Sequence, residues 1–260
     1  MIKRKPIVVA NWKMFTDPLD GTQLAHNIVD SCQISPSVDV VICPPFVSLT
    51  EVRKVIAGSG IKLGAQNIFW EPNEGSYTGE ISAQMISGWC EYVIVGHSER
   101  RKYFDETDDV VNKKVKAGLQ HGLQAIICVG ESHAQNTAGD TKDVIEHQVR
   151  SAYEGITHDE ALHTVVAYEP IWAIGTGCAS TATAANKVSG KYVRGTLERI
   201  YGQEVSQLIR IQYGGSINRN NIAEFIVQTD IDGALIGGSS LSFDEFAAIL
   251  CVVYQQRVSD

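Results

Sequence analysis

Eight short runs of β-branched and aliphatic residues recur along the chain: IVVA from Ile7, VDVVI from Val38, IKLGA from Ile61, YVIV from Tyr92, QAIICV from Gln124, TVVAY from Thr164, LIRIQY from Leu208 and DGALI from Asp232. Most are continuously apolar rather than alternating, the pattern of strands buried on both faces. Between them lie apolar residues at helical spacing: Leu24, Ile28 and Val29 after the first run, Val110, Val111, Val115 and Leu119 after the fourth, Val188, Tyr192, Val193 and Leu197 after the sixth, and Phe243, Phe246, Ile249 and Leu250 after the eighth. Strand and helix alternate through the whole chain, which predicts a parallel sheet. Eight such units are the complement of a closed (β/α)8 barrel, normally about 250 residues. An open doubly wound sheet is the alternative. It would carry a glycine fingerprint after its first strand, where this chain reads NWKM.

With 260 residues, 44% of them hydrophobic, the chain could form one domain or two at roughly 150 residues each. No Pro/Ser-rich linker or charge block divides it, so a single domain over residues 1–260 is expected. The formal charge of −8 argues against nucleic-acid or anionic-membrane partners, because phosphate backbones need a basic face. A small anionic substrate stays open, since local donors can outweigh net charge. The six cysteines form no C-x-x-C pair. The basic start, MIKRKPIVVANW, has an apolar run of only about five residues, short for a secretory signal. The reading is a cytosolic protein with free thiols, and no run approaches the ~18 apolar residues of a membrane span.

In a barrel the chemistry sits at the C-terminal ends of the strands. Asn11 and Lys13 follow the first run, Gln66 and Asn67 the third, His97, Ser98 and Glu99 the fourth, Glu131 the fifth and Glu169 the sixth. Glycine turns follow the seventh, Gly214 to Ser216, and the eighth, Gly237 to Ser240. Singly, each has a bland reading: a solvated lysine, a histidine capping a helix, glycines that only turn the chain. Together they would face one mouth, and loops after strands seven and eight often cradle a phosphate with backbone N–H groups. A carboxylate, an imidazole, an ammonium and an anion cradle suit proton abstraction beside a carbonyl. Glu169 would take the proton, His97 would polarise the oxygen, and Lys13 would offset the developing charge. The segment after Glu169, PIWAIGTG, is strangely apolar for a loop. As a flap, with Ile171, Trp172, Ala173 and Ile174 as its underside, it would dry the carboxylate and raise its pKa, hinged at Pro170 and at Gly175 and Gly177.

VVANWKM, VIVGHSERR, AYEPIWAIGTG, IQYGGSI and IDGALIGGSSL closely resemble the motifs of the triosephosphate isomerase family, and the resemblance runs from about Ile7 to Leu250. It implies the TIM barrel itself, an isomerase of glycolysis and gluconeogenesis that interconverts dihydroxyacetone phosphate and glyceraldehyde 3-phosphate, and no cofactor. It implies roles by position: Glu169 the base, His97 the electrophile, Asn11 and Lys13 the substrate-binding pair, and Glu99 a hydrogen-bonding glutamate that tunes the lysine. Gly175, Ser216, Gly237 and Gly238 match the phosphate-binding groups. A helix starting near Ser98 would place its positive end at His97 and keep the imidazole neutral. Residues 68–81, IFWEPNEGSYTGEI, resemble a loop that crosses into a partner in a homodimer, with Thr78 beside the partner's Asn11 and Lys13, and with Glu80 and Arg101 as a supporting ion pair.

Three stretches depart from the family pattern. Cys178 to Ser180 stand where a lysine is frequent, GESHAQNTAGD replaces a Glu- and Arg-rich turn and is expected to touch only the surface, and Ala83 replaces a proline that would start a helix. Two other functions compete. One is a Schiff-base aldolase with Lys13 as nucleophile, the other a barrel that binds phosphorylated ligands without turnover.

Overall fold

The computed structural model describes residues 4–31, 35–71, 73–174 and 180–258. All eight apolar runs lie on strands: β1 (Ile7–Asn11), β2 (Asp39–Cys43), β3 (Lys62–Ala65), β4 (Tyr92–Val95), β5 (Gln124–Val129), β6 (Thr164–Tyr168), β7 (Arg210–Tyr213) and β8 (Gly233–Ile236). They pair in parallel in sequence order, and β8 pairs back onto β1 to close the barrel. The closing register sets Ile7 opposite Gly233 and Ala10 opposite Ile236. The open-sheet alternative is thereby overturned.

The unbroken apolar pattern has a direct cause. Alternate strand residues point to opposite faces, and here both faces are covered. Ile7, Val9, Val41, Ile94, Ile126, Ala167 and Leu235 fill the barrel. Val8, Ala10, Val40, Ile42, Val93 and Ile127 pack outward against the helices. One run was read too long: Leu208 ends the helix Gly195–Leu208, and β7 starts only at Arg210. The segment around Val188 is helical as its spacing predicts, but Val188–Arg194 is wound as a π-helix.

The two ends of the barrel treat charge differently. At the N-terminal ends of the strands, Asp39 takes Lys5 Nζ at 2.5 Å and Arg210 Nη1 at 2.6 Å. Arg4 reaches Asp232 at 2.7 Å, and Arg194 reaches Asp230 at 2.5 Å. These charges neutralise one another and close the bottom. At the opposite end, Lys13, His97 and Glu169 line a cavity, and Glu99 stands behind Lys13.

Smaller expectations resolve here too. The helix Ala83–Ile86 starts without a proline because Ser82 caps it, accepting from Met85 N at 3.3 Å. Cys43, Cys90, Cys128 and Cys251 carry free thiols, and burial pushes the Cys90 thiol up to about 12. Cys32 and Cys178 lie outside the described residues. Among the described residues no helix is long and apolar enough to cross a membrane.

Candidate active site

Lys13 leaves β1 in a left-handed conformation, φ 52°, which costs a side-chain-bearing residue about 1 kcal/mol or more unless neighbours fix it. Two do. Asn11 Oδ1 accepts from Lys13 N at 3.0 Å, and Gln66 Nε2 donates to Lys13 O at 2.8 Å and to Cys43 O at 2.9 Å. The twist sends the ammonium back over the barrel mouth, where Nζ meets Glu99 Oε1 at 2.7 Å. A Cβ on Gly237 would lie 3.1 Å from Lys13 Cε, so the bare backbone of Gly237 makes room for the lysine stem.

The helix Ser98–Tyr103 begins where the sequence predicts, with His97 as its N-cap. The imidazole is the capping group: its Nδ1 accepts from Glu99 N at 3.3 Å. A backbone amide cannot give up its proton here, so Nδ1 is the acceptor and the ring's own proton sits on Nε2. That nitrogen faces Glu169 Oε1 at 3.0 Å. The other carboxylate oxygen accepts from Ser98 N at 3.1 Å. Glu169 is 2% exposed and His97 5%, so this carboxylate is removed from water yet keeps two donors. Gly214 lies against it, and a Cβ there would sit 2.7 Å from Glu169 Cγ.

The electrostatics differ from the expectation of a base with a raised pKa. Burial does push the Glu169 carboxyl up, but His97 and the Ser98 amide outweigh burial and hold it below its ordinary value. Burial pushes the His97 imidazole down, and Glu169, then Glu99, outweigh it and pull it up. Both shifts belong to the pair as it stands with nothing between the two groups.

Asn11, Lys13, His97, Glu169, Ser216, Gly237 and Gly238 share one cavity of about 180 Å³. Drug-sized sites run roughly 300–1,000 Å³, so this one suits a molecule of only a few heavy atoms. The sequence reading missed Gln66 as the support of Lys13, and it missed Ile217 and Leu235 in the lining, whereas Ile174, Gly214, Gly215 and Ser239, which it placed at the mouth, line the cavity. Gly215, Ser216 and Gly238 line the cavity, and their N–H groups donate to no protein acceptor among the described residues. Gly175 and Gly177 lie outside the described residues.

Two expectations change. Of the four apolar residues after Glu169, only Ile174 lines the cavity. Trp172 turns away, and its Nε1 donates to Glu131 Oε1 at 2.9 Å. Arg101 pairs with Asp108 at 2.5 Å and donates to Gly96 O at 2.8 Å, while Glu80 is exposed. Helix Ser98–Tyr103 carries Arg101 toward the next helix start, where it meets Asp108 of its own chain. Finally, the stretch after Glu131 does more than cover the surface, because Asn136 Nδ2 reaches Glu131 Oε1 at 3.2 Å.

Barrel and cavity together define a (β/α)8 protein with a buried carboxylate–imidazole pair, a lysine and glycine-rich turns around one pocket at its C-terminal rim. A family model described as Triosephosphate isomerase matches residues 6–253. The chain is 50% identical to "Triosephosphate isomerase" of Thermoanaerobacter sp. (strain X514), over 95% of this chain and 99% of that one. It is 48% identical to the protein of that name from Caldanaerobacter subterraneus subsp. tengcongensis, over 95% and 99%. It is 47% identical to that from Dictyoglomus thermophilum, over 94% and 97%. The chain belongs to the triosephosphate isomerase family.

The lowered carboxyl value makes a pH prediction. A carboxylate with a depressed folded-state pKa adds stability above its unfolded value, about 4.3, and that contribution is lost as pH falls through the folded value. The urea midpoint of the wild type is expected to fall more steeply than that of Glu169→Gln between about pH 5 and pH 3. Parallel curves would mean the pairing adds nothing.

Proposed function

We propose that Glu169, His97 and Lys13 carry out the interconversion of dihydroxyacetone phosphate and glyceraldehyde 3-phosphate, the family's step in glycolysis and gluconeogenesis. The observation that carries the reading is Glu169 Oε1 lying 3.0 Å from His97 Nε2, buried at one mouth with Lys13. The Glu169 carboxylate takes a proton from the carbon beside the carbonyl. The C–H electrons form the carbon–carbon double bond of an enediolate, and the carbonyl electrons move onto oxygen. His97 Nε2–H hydrogen-bonds that oxygen and supplies its proton, and the Lys13 ammonium offsets the charge as it develops. Glu169 then returns its proton to the neighbouring carbon, which takes it with the electrons of the carbon–carbon double bond, while the hydroxyl on the first carbon gives its proton back to His97 Nε2 and its O–H electrons form the new carbonyl.

Asn11 and Glu99 act beside them, one holding the Lys13 backbone and the other its ammonium. Ser216, Gly237 and Gly238, with Gly175, hold the phosphate. The Lys13–Glu99 pair favours this charge-offset role over Schiff-base attack, which needs a neutral amine. No step calls for a cofactor.

The active form is a homodimer, joined through loop 68–81. Phe69 packs on Trp70 at 4.0 Å and on Tyr77 at 4.7 Å, and Thr78 is exposed. Met14, Phe15, Val47, Trp70, Tyr77, Met85, Tyr103 and Phe104 are exposed apolar side chains on the segments after β1 to β4. That much apolar surface on one flank of the rim fits burial against a second copy. The chain works as one domain in the cytosol, where buried free thiols stay reduced.

In a coupled isomerase assay, Glu169→Gln is expected to lose about 10²–10⁴-fold in rate while still binding a phosphate analogue. Full activity in this variant would remove Glu169 as the base. Sedimentation at micromolar concentration is expected to show twice the 28.4 kDa chain mass, and a single species at the chain mass would contradict the dimer.

A further inference from the structure

Glu131 follows β5 and is fully buried. Its backbone O accepts from Ile171 N at 3.1 Å. Its carboxylate Oε1 accepts from Tyr168 Oη at 3.1 Å and from Trp172 Nε1 at 2.9 Å. Tyr168 and Ile171 to Trp172 stand on either side of Glu169, so one residue grips the chain before and after the base. A grip of this kind fixes Glu169 only if the carboxylate is itself fixed. Tyr168 and Trp172 cannot do that, because they are the groups being held.

The remaining donor among the described residues is Asn136, whose Nδ2 reaches Oε1 at 3.2 Å and also Thr141 Oγ1 at 3.3 Å. Asn136 sits on a short turn that is locked at both ends. Ser132 and Gln135 form a capping box at the start of helix His133–Ala138, and Gly139 closes it in the left-handed conformation. All three donors are neutral, and the other oxygen, Oε2, has no partner among the described residues. A buried carboxylate with so few donors loses proportionately when one is removed.

We propose that Asn136 is a positioning residue for Glu169. Its amide ties the Glu131 carboxylate to the His133–Ala138 turn, and Glu131 in turn holds Tyr168 and Trp172 around the base. This rests on Glu169 being the base. The cavity's phosphate groups, Gly214 to Ser216 and Gly237 to Ser239, lie on the loops after β7 and β8 and are not part of this chain of contacts.

The test compares Asn136→Leu, which keeps the size but removes the donor, with Asn136→Gln, which keeps it. Asn136 is exposed, and exposed substitutions usually change stability by no more than about 0.5 kcal/mol. In Asn136→Leu, kcat is expected to fall about two- to tenfold, the value of one neutral hydrogen bond. The dissociation constant for inorganic phosphate and the urea midpoint should stay at wild-type values, and Asn136→Gln should recover kcat to within about twofold. Wild-type kcat in Asn136→Leu would overturn the proposal. So would phosphate binding and midpoint falling together with kcat, or Asn136→Gln no better than leucine. If Asn136→Leu does not fold, Asn136→Ala, which removes the donor without adding a charge, is read the same way. Glu169→Gln is assayed beside them. Full activity there removes the base assignment, whereas its loss beside an unaffected Asn136→Leu removes only the role of Asn136.

Discussion

The pairing of β8 with β1 is the constraint on which the rest depends. Once Ile7 lies opposite Gly233 in a parallel ladder, every strand must run the same way and every C-terminal end must open on one rim. Residues as far apart in sequence as Lys13, His97, Glu169 and Gly237 then share a cavity without any local tendency to meet. The helices are what make this affordable, since a parallel sheet has no solvated face and needs cover on both.

Closure also sorts the charges. At the bottom, Asp39, Asp230 and Asp232 each meet an arginine, and nothing remains for chemistry. At the top, the buried Glu169 has an imidazole and a backbone amide as partners. Both are donors that an arriving ligand can replace or share. The carboxylate is therefore held below its ordinary value by both partners, against the upward push of burial. The left-handed Lys13, held by Asn11 and Gln66, shows backbone strain aiming a charge at the rim.

Most of the architecture was legible in the chain because it rests on short-range pattern. Runs such as YVIV and QAIICV are apolar on both faces for the reason that both faces are buried, and His97 reads as a helix cap because it is one. What stayed hidden depends on side-chain direction across distant segments. Nothing near Trp172 signals that its indole turns from the cavity to Glu131. Nothing near Gln66 signals that its amide crosses to the Lys13 carbonyl. Asn136 reads as part of a polar surface turn, and only the packing of that turn against β5 reveals its contact with a buried carboxylate. The direction of the Glu169 shift was misjudged for the same reason: drying was foreseen, but the two donors at His97 and Ser98 were not.

The central claim is that one carboxylate lifts a carbon-bound proton and returns one to the neighbouring carbon. Running the isomerisation in D2O and examining the product by NMR tests it most directly. The account predicts deuterium on the carbon that receives the proton, because the proton held by a carboxylate can exchange with solvent before it is returned. Product that carries no deuterium at any stage of the reaction, with the original hydrogen moved intact to the next carbon, would indicate a hydride shift and contradict it.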